Sequence, residues 1–117
     1  MAYFSLWIDK EHAFVYEFTS EGVNEFKFQS HGPSDQAHTE KFFHEVAQKL
    51  NGAKEVMVMG PGVAKDQFKH HCENHHHQAV AKAIVGVKPM EAHPTKAMML
   101  KSAGDFFKSY HTWTKNY

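Results

Sequence analysis

Residues 3–28, YFSLWIDKEHAFVYEFTSEGVNEFKF, predict three β-strands in succession, over residues 3–9, 12–18 and 23–28. In the second strand Phe14, Tyr16 and Phe18 alternate with smaller or polar neighbours, as expected where every other side chain lies on one face of a sheet. A polar turn at residues 9–11 and a glycine at position 22 separate the strands. Because such short turns connect antiparallel neighbours, the pattern predicts an antiparallel meander.

The rest of the chain alternates helices with strands. Apolar residues at helical spacing predict helices over residues 37–50, 63–75 and 95–111; Ser34 or Asp35 is expected to cap the first, and Pro94 suits the first turn of the last. Continuous apolar runs predict buried strands over residues 55–59 and 79–87. The order βββαβαβα predicts an α/β fold with a mixed five-stranded sheet and helices packed on it, which is a ribonuclease H-like arrangement.

Length and charge narrow the class of protein. A chain of 117 residues is predicted to form a single domain over residues 1–117. Its 13 lysines balance 13 acidic residues and arginine is absent, which argues against strong autonomous binding of RNA or DNA. Cys72 is the only cysteine, which excludes an internal disulfide and fits a reducing compartment. With no signal-like start and no membrane-length apolar run, we expect a cytoplasmic protein without a membrane partner.

The segment SHGPSDQ, residues 30–36, lies between the meander and the first helix. It resembles the tip loop in the middle domain of archaeal and eukaryotic class-1 release factors, which reads Lys-His-Gly-Arg-Gly-Gly-Gln. His31, Gly32 and Gln36 match in place, whereas Ser34 and Asp35 stand where the family has two glycines. The resemblance makes these five residues the expected binding residues of the loop.

Two further segments carry the resemblance. Residues 56–68, VMVMGPGVAKDQF, are similar to the strand, Gly-Pro-Gly-Phe turn and helix of release factors and of the ribosome-rescue protein Pelota. Residues 91–96, EAHPTK, followed by Phe106, Phe107 and Lys108, resemble the end of small bacterial relatives called translational machinery proteins. The resemblance implies a release-factor middle domain that stands alone.

The two replaced glycines decide what the resemblance implies about activity. In the family they let the backbone approach the ester of peptidyl-tRNA and place the glutamine amide near the developing oxyanion. Ser34 and Asp35 add side chains at both positions, and Asp35 adds a negative charge, so we do not expect peptidyl-tRNA hydrolysis. The implied function is a non-catalytic, ribosome-associated accessory protein without a cofactor, whose partner is the ribosome or ribosomal RNA.

Two other classes of function stay open. One is a protein-interaction module that binds an unidentified protein partner without ribosome contact, for which Trp113 and Tyr117 in the polar tail are candidates; a homo-oligomer is open as well. The other, ranked last, is a metal-dependent nuclease, because nucleases of the ribonuclease H-like fold gather carboxylates around two magnesium ions. The candidate carboxylates are Asp9, Glu45 and Asp66, for which ordinary solvated side chains are the favoured explanation.

Histidine is concentrated in HHCENHHH, residues 70–77. His71 and His75 are four apart on one helix face, a spacing that can chelate zinc, copper or nickel, and Cys72 and His76 form a second such pair. No distant pair in the sequence obviously completes a tetrahedral site, and a solvent-exposed helix end explains the histidines equally. We therefore predict weak metal binding at His71 and His75, with Cys72 packed against Phe68.

Overall fold

A computed structural model describes residues 2–75 and 77–114, with side chains as far as His111. The strands are β1 (Tyr3–Ile8), β2 (His12–Thr19), β3 (Gly22–Gln29), β4 (Glu55–Gly60) and β5 (Ile84–Pro89). The helices are α1 (Gln36–Lys49), α2 (Ala64–Asn74), α3 (Gln78–Ala83) and α4 (Lys96–Thr114).

The five strands form one mixed sheet in the order β3-β2-β1-β4-β5. β1 pairs antiparallel with β2 and β2 with β3, so the predicted meander is confirmed. β1 also pairs parallel with β4, and β4 with β5, which requires the helices to cross over the sheet between these strands. The predicted α/β class and five-stranded mixed sheet are confirmed.

Each face of the sheet is covered by helices. Phe4, Leu6 and Ile8 of β1 point to one face, where they join a buried cluster with α1, α2 and α3. Trp7 and the aromatic face of β2 point the other way, where they pack with α4. The alternation read from the sequence thus places the aromatic face of β2 under a single helix, and the opposite face of the sheet under three.

The strand predicted over residues 79–87 is wrong in its first half. Residues 78–83 form α3, and only the second half is strand, as β5. In residues 79–83, Ala-Val-Ala-Lys-Ala, every other residue is alanine, which has the highest helix propensity. This short run therefore favours a turn of helix over a strand. β5 is also half-buried rather than buried on both faces, because it is the last strand of the sheet.

The last helix begins one residue later than predicted. Thr95 precedes α4, and its hydroxyl accepts a hydrogen bond from the Met98 amide at 3.1 Å, which is the usual capping contact. Pro94 therefore lies before the cap and not in the first turn of the helix. Among the described residues, no helix has the length and apolar character needed to cross a membrane.

Candidate functional site: the tip surface and the histidine cluster

The loop of residues 30–35 lies at the end of the sheet where β1 ends and β2 begins. The Ser30 amide donates to the Glu11 carbonyl at 2.7 Å, which ties the loop to the β1–β2 turn. The turn after β4 reaches the same end, because residues 61–63 line a cavity of about 350 Å³ together with residues 9–11. We call residues 9–11, 30–36 and 61–63 the tip surface.

Asp35 caps α1, as one of the two predicted alternatives. Its backbone is extended (φ −120°, ψ 172°), and its carboxylate accepts hydrogen bonds from the His38 amide at 2.9 Å and from His38 Nδ1 at 2.7 Å. These two bonds, the backbone one first, hold the pKa of Asp35 below its usual value of 3.8. The residue that stands in place of a family glycine therefore serves as a helix cap.

Gly32 shapes the loop before this cap. Its φ is +106°, a conformation that side chains disfavour, and a Cβ atom at this position would come within 2.6 Å of the His38 ring. His38 is therefore held from two sides, by the Asp35 carboxylate and by the Gly32 backbone. The match of Gly32 to the release-factor loop thus has a structural reason in this chain.

Gln36 is the first residue of α1, and its side chain lies along the helix. Gln36 Nε2 donates to Glu40 Oε1 at 3.1 Å. The five predicted binding residues of the loop, His31, Gly32, Ser34, Asp35 and Gln36, are all solvent-exposed and lie within residues 31–36. Their role in binding a partner stays a prediction.

The three candidate nuclease carboxylates do not share one site. Asp9 Oδ1 accepts hydrogen bonds from the amides of Glu11 and His12, at 2.8 and 2.7 Å, so it shapes the β1–β2 turn. Glu45 lines a different, small cavity beside Ser30 and His31, and Asp66 lies exposed near the Lys65 ammonium. This arrangement gives the nuclease alternative no support.

The histidine-rich segment meets a partner from α1 that the sequence did not reveal. His44 Nδ1 lies 2.8 Å from His77 Nε2, so one ring donates a hydrogen bond to the other. The His71 ring stacks on His75, with centroids 4.7 Å apart, and lies 6.0 Å from the His77 ring. We call His44, His71, His75 and His77 the histidine cluster. A pairing between residues 33 positions apart depends on how α1 packs on α2, and no spacing in the sequence signals it.

His71 is buried, so the alternative explanation of a solvent-exposed helix end does not hold for this residue. Only 6% of its surface is exposed, and its ring packs edge-on against Phe43 of α1. Burial, followed by the neighbouring His75 and His77, lowers the pKa of His71 to about 4, with Glu40 acting in the opposite direction. His71 is therefore a neutral imidazole at physiological pH. His75 follows the last helical residue of α2 and is exposed, so only His71 lies within the helix proper.

Cys72 belongs to the core, where it is fully buried in the same cluster as Phe68, as predicted. Burial raises the pKa of its thiol to about 12, so it is not a thiolate at neutral pH. The Cys72–His76 pair includes a residue outside the described part of the chain. The Trp113 side chain and Tyr117, the candidate docking residues of the tail, also lie outside it.

A second concave surface, which the sequence did not indicate, lies between β5 and α4. A cavity of about 460 Å³ is lined by Lys88 on the strand and by Ser102, Asp105, Phe106 and Ser109 on the helix, among others. It lies on the α4 side of the sheet, whereas the histidine cluster belongs to the other helical layer. The cavity has no conspicuous sequence motif, because its residues come together only when α4 packs across β5.

Of the comparisons with known proteins, the one with solved structures bears on the fold. No protein-family model matches the chain, and no curated protein matches it. Solved structures do match: Pelota from Archaeoglobus fulgidus has a TM-score of 0.64 at 22% identity, covering 98% of this chain and 37% of that one. The archaeal translation termination factor aRF1 has a TM-score of 0.65 at 18% identity, covering 87% of this chain and 33% of that one.

A yeast structure extends the likeness. Dom34 from S. cerevisiae, described as a translation termination-like factor in RNA quality control that interacts with Hbs1, has a TM-score of 0.55 at 13% identity, covering 97% of this chain and 38% of that one. The chain thus spans only about a third of the length of the proteins it matches. The structural likeness to several such factors confirms the resemblance read from the sequence. The chain has the fold of a release-factor- and Pelota-like domain.

Proposed function

We propose that this protein is a non-catalytic, translation-associated accessory factor that contacts the ribosome through its tip surface. The fold supports this proposal, because the solved structures that share it include a translation termination factor and a termination-like factor of RNA quality control. Fold alone does not determine function, so the loop of residues 30–36 has to support the proposal.

One observation carries the proposal: the loop is exposed and yet has internal contacts that support its conformation. Asp35 fixes His38, His38 packs on Gly32, and the Ser30 amide is bonded to the β1–β2 turn. A surface loop that is already ordered loses less conformational entropy when a partner binds it. Such preorganisation is typical of a recognition surface and is not required merely to connect a strand to a helix.

The same contacts argue against peptidyl-tRNA hydrolysis. Chemistry of the release-factor kind needs a backbone that can approach an ester closely, and Ser34 and Asp35 both add side-chain bulk at that point. The Asp35 carboxylate is engaged with the start of α1, and the Gln36 side chain is bonded to Glu40. The proposed role is therefore contact without catalysis.

The charge of the tip surface favours some ribosomal contacts over others. It carries the carboxylates Asp9, Glu11 and Asp35 against the single ammonium of Lys10. Such a surface is poorly suited to neutralising phosphates, which supplies most nucleic-acid affinity. We therefore propose that the tip surface contacts a basic ribosomal protein or unpaired base edges, and that it does not track the RNA backbone.

Co-sedimentation with ribosomes from the same cell, at low and at moderate salt, tests the proposal. The variants are Gln36→Ala and Ser34→Ala/Asp35→Ser, the second of which keeps a residue that can cap α1. Gln48→Ala is the matched control, since Gln48 is an exposed glutamine at the opposite end of the same helix. We expect saturable binding that both tip variants weaken and the control does not.

Absence of binding at either salt concentration would overturn the proposal and leave the fold intact. Binding that the control weakens as much as the tip variants would place the contact elsewhere and would also contradict it. In both cases the interaction module becomes the better hypothesis, with an apolar interface whose affinity depends little on salt.

A further inference from the structure

We propose that the histidine cluster, His44, His71, His75 and His77, is a binding site for a divalent transition metal ion of the kind that prefers imidazole ligands, with Zn²⁺ as the first candidate. The inference is independent of ribosome binding, because the cluster is separate from the tip surface. It extends the chelating pair suggested by the sequence to four ligands from three parts of the chain: α1, α2 and the α2–α3 connection.

The His44–His77 contact has nearly the spacing that a shared ion requires. Two imidazoles on one tetrahedral zinc, each about 2.0–2.1 Å from the metal, have their ligating nitrogens about 3.3 Å apart. His44 Nδ1 and His77 Nε2 are 2.8 Å apart, so a shift of about half an ångström would place both at coordination distance. Their ring centroids are 4.9 Å apart, with the planes inclined by 49°, which is compatible with two lone pairs converging on one point.

His71 supplies the second, independent observation. It is 94% buried, yet neither Nδ1 nor Nε2 has a hydrogen-bond partner among the described residues. A buried polar group without a partner is costly, and imidazole is a common ligand in its neutral form. The ring lies against both His75 and His77, so the nitrogens without partners belong to the member at the centre of the cluster.

Binding requires ring rotation. Within residues 2–75 and 77–114, no group of three or more His, Cys, Asp or Glu side chains is already arranged around a common point. His44 and His75 are exposed, so their rings can turn without displacing core residues, and an ion can reach the cluster from solvent. Rotation would replace the His44–His77 hydrogen bond and the His71–His75 stacking with metal–nitrogen bonds.

Isothermal titration of the purified protein with ZnCl₂ at pH 7.5 tests the site. The variants are His44→Ala and His77→Ala, and the matched control is His70→Ala, which removes an exposed histidine next to His71 whose contacts are with Glu73 and Asn74. We expect one ion per chain and a loss of affinity in each cluster variant that exceeds the roughly 10- to 100-fold effect of changing an outer-shell partner. The control should bind like the parent protein.

Two further measurements make the outcome decisive. Visible absorption after Co²⁺ addition should show the intense d–d bands of tetrahedral coordination, and Zn²⁺ should raise the unfolding temperature of the parent protein more than that of His44→Ala. Circular dichroism of each variant checks that it is folded. No saturable binding, or binding that His44→Ala and His77→Ala leave unchanged, would overturn the four-ligand site; the latter result would restrict chelation to the α2 pair.

Discussion

Asp35 stands at a position where, by resemblance, the family has a glycine. Its carboxylate accepts hydrogen bonds that a glycine, which has no side chain, cannot accept. It accepts the His38 amide and the His38 ring at once, and so joins the start of α1 to the loop before it. At this position, a residue that fixes the turn therefore replaces the conformationally free glycine of the family loop. The sequence predicted a cap at Ser34 or Asp35, because Asp or Ser before an amphipathic run is a strong helix-start signal, and the structure selects Asp35.

Replacing the cap residue Asp35 should lower the stability of the protein, because the start of α1 loses its capping hydrogen bond. Asp35→Ala removes the carboxylate oxygen that accepts both hydrogen bonds, so we expect a lower urea midpoint of unfolding, measured by circular dichroism at 222 nm. Asp35→Asn, which keeps an acceptor for the helix amide, should retain most of the stability. Ser34→Ala is the control, since the cap contact is made by Asp35. Equal midpoints for Asp35→Ala and the parent protein would contradict the capping role.

The same carboxylate should give acid-sensitive stability. Its pKa is lower in the folded protein than the usual 3.8, because the His38 amide and ring stabilise the ionised form. Its contribution is therefore fully present above pH 3.8 and is lost as the pH falls through the lower folded-state pKa. We expect the stability difference between the parent protein and Asp35→Asn to shrink between pH 7 and pH 3. A difference that stays constant over this range would be the contrary result.

At the scale of elements, local sequence patterns predicted most of the helices and strands. They failed where the packing of one element on another determines the structure. The alternation of Phe14, Tyr16 and Phe18 is a local property of β2, and its predicted face is the one found. The run at residues 79–83 is apolar and short, so periodicity could not distinguish a strand from a turn of helix. The His44–His77 contact depends on the docking of two helices, which no single segment encodes.

Two glycine-to-alanine substitutions, one in β5 and one in α4, are expected to change the free energy of unfolding in opposite directions. A Cβ atom at Gly86 would come within 2.5 Å of the Phe106 ring, whereas one at Gly104 meets nothing within 4 Å. We expect Gly86→Ala to lower the free energy of unfolding by about 1–3 kcal/mol through overpacking. Gly104→Ala, in the same helix as Phe106, should raise it by about 1 kcal/mol, because alanine is the better helix former.

Urea denaturation of both variants measures these changes. An unchanged free energy of unfolding in Gly86→Ala would mean that the Phe106 ring can move aside at no energetic cost. The close approach of α4 to β5 would then not contribute to stability. A destabilised Gly104→Ala would instead mean that this part of α4 is not a regular helix.

At the scale of the whole molecule, 13 lysines balance 13 acidic residues. The protonation of the 11 histidines therefore determines the net charge near neutral pH. The isoelectric point is about 7.2. Proteins without net charge associate most readily, so we expect solubility in polyethylene glycol to be lowest near pH 7.2 and to increase at pH 5.5. Lys82→Glu, at an exposed position of α3, should move the minimum to lower pH. A minimum that does not move would show that an apolar contact, and not charge, limits solubility.

The central position of β1 has a consequence for the order in which the molecule folds. On one side lie its partner β2 and then β3, which follow immediately in the chain, but its parallel partner β4 begins with Glu55, opposite Tyr3. Contacts between sequence neighbours close small loops and form fast, whereas parallel pairings close large ones and form slowly. The meander is therefore expected to form first and to provide the template on which β4 and then β5 assemble. In stopped-flow measurements, Val15→Ala in the meander should slow refolding, while Val87→Ala in β5 should mainly speed unfolding.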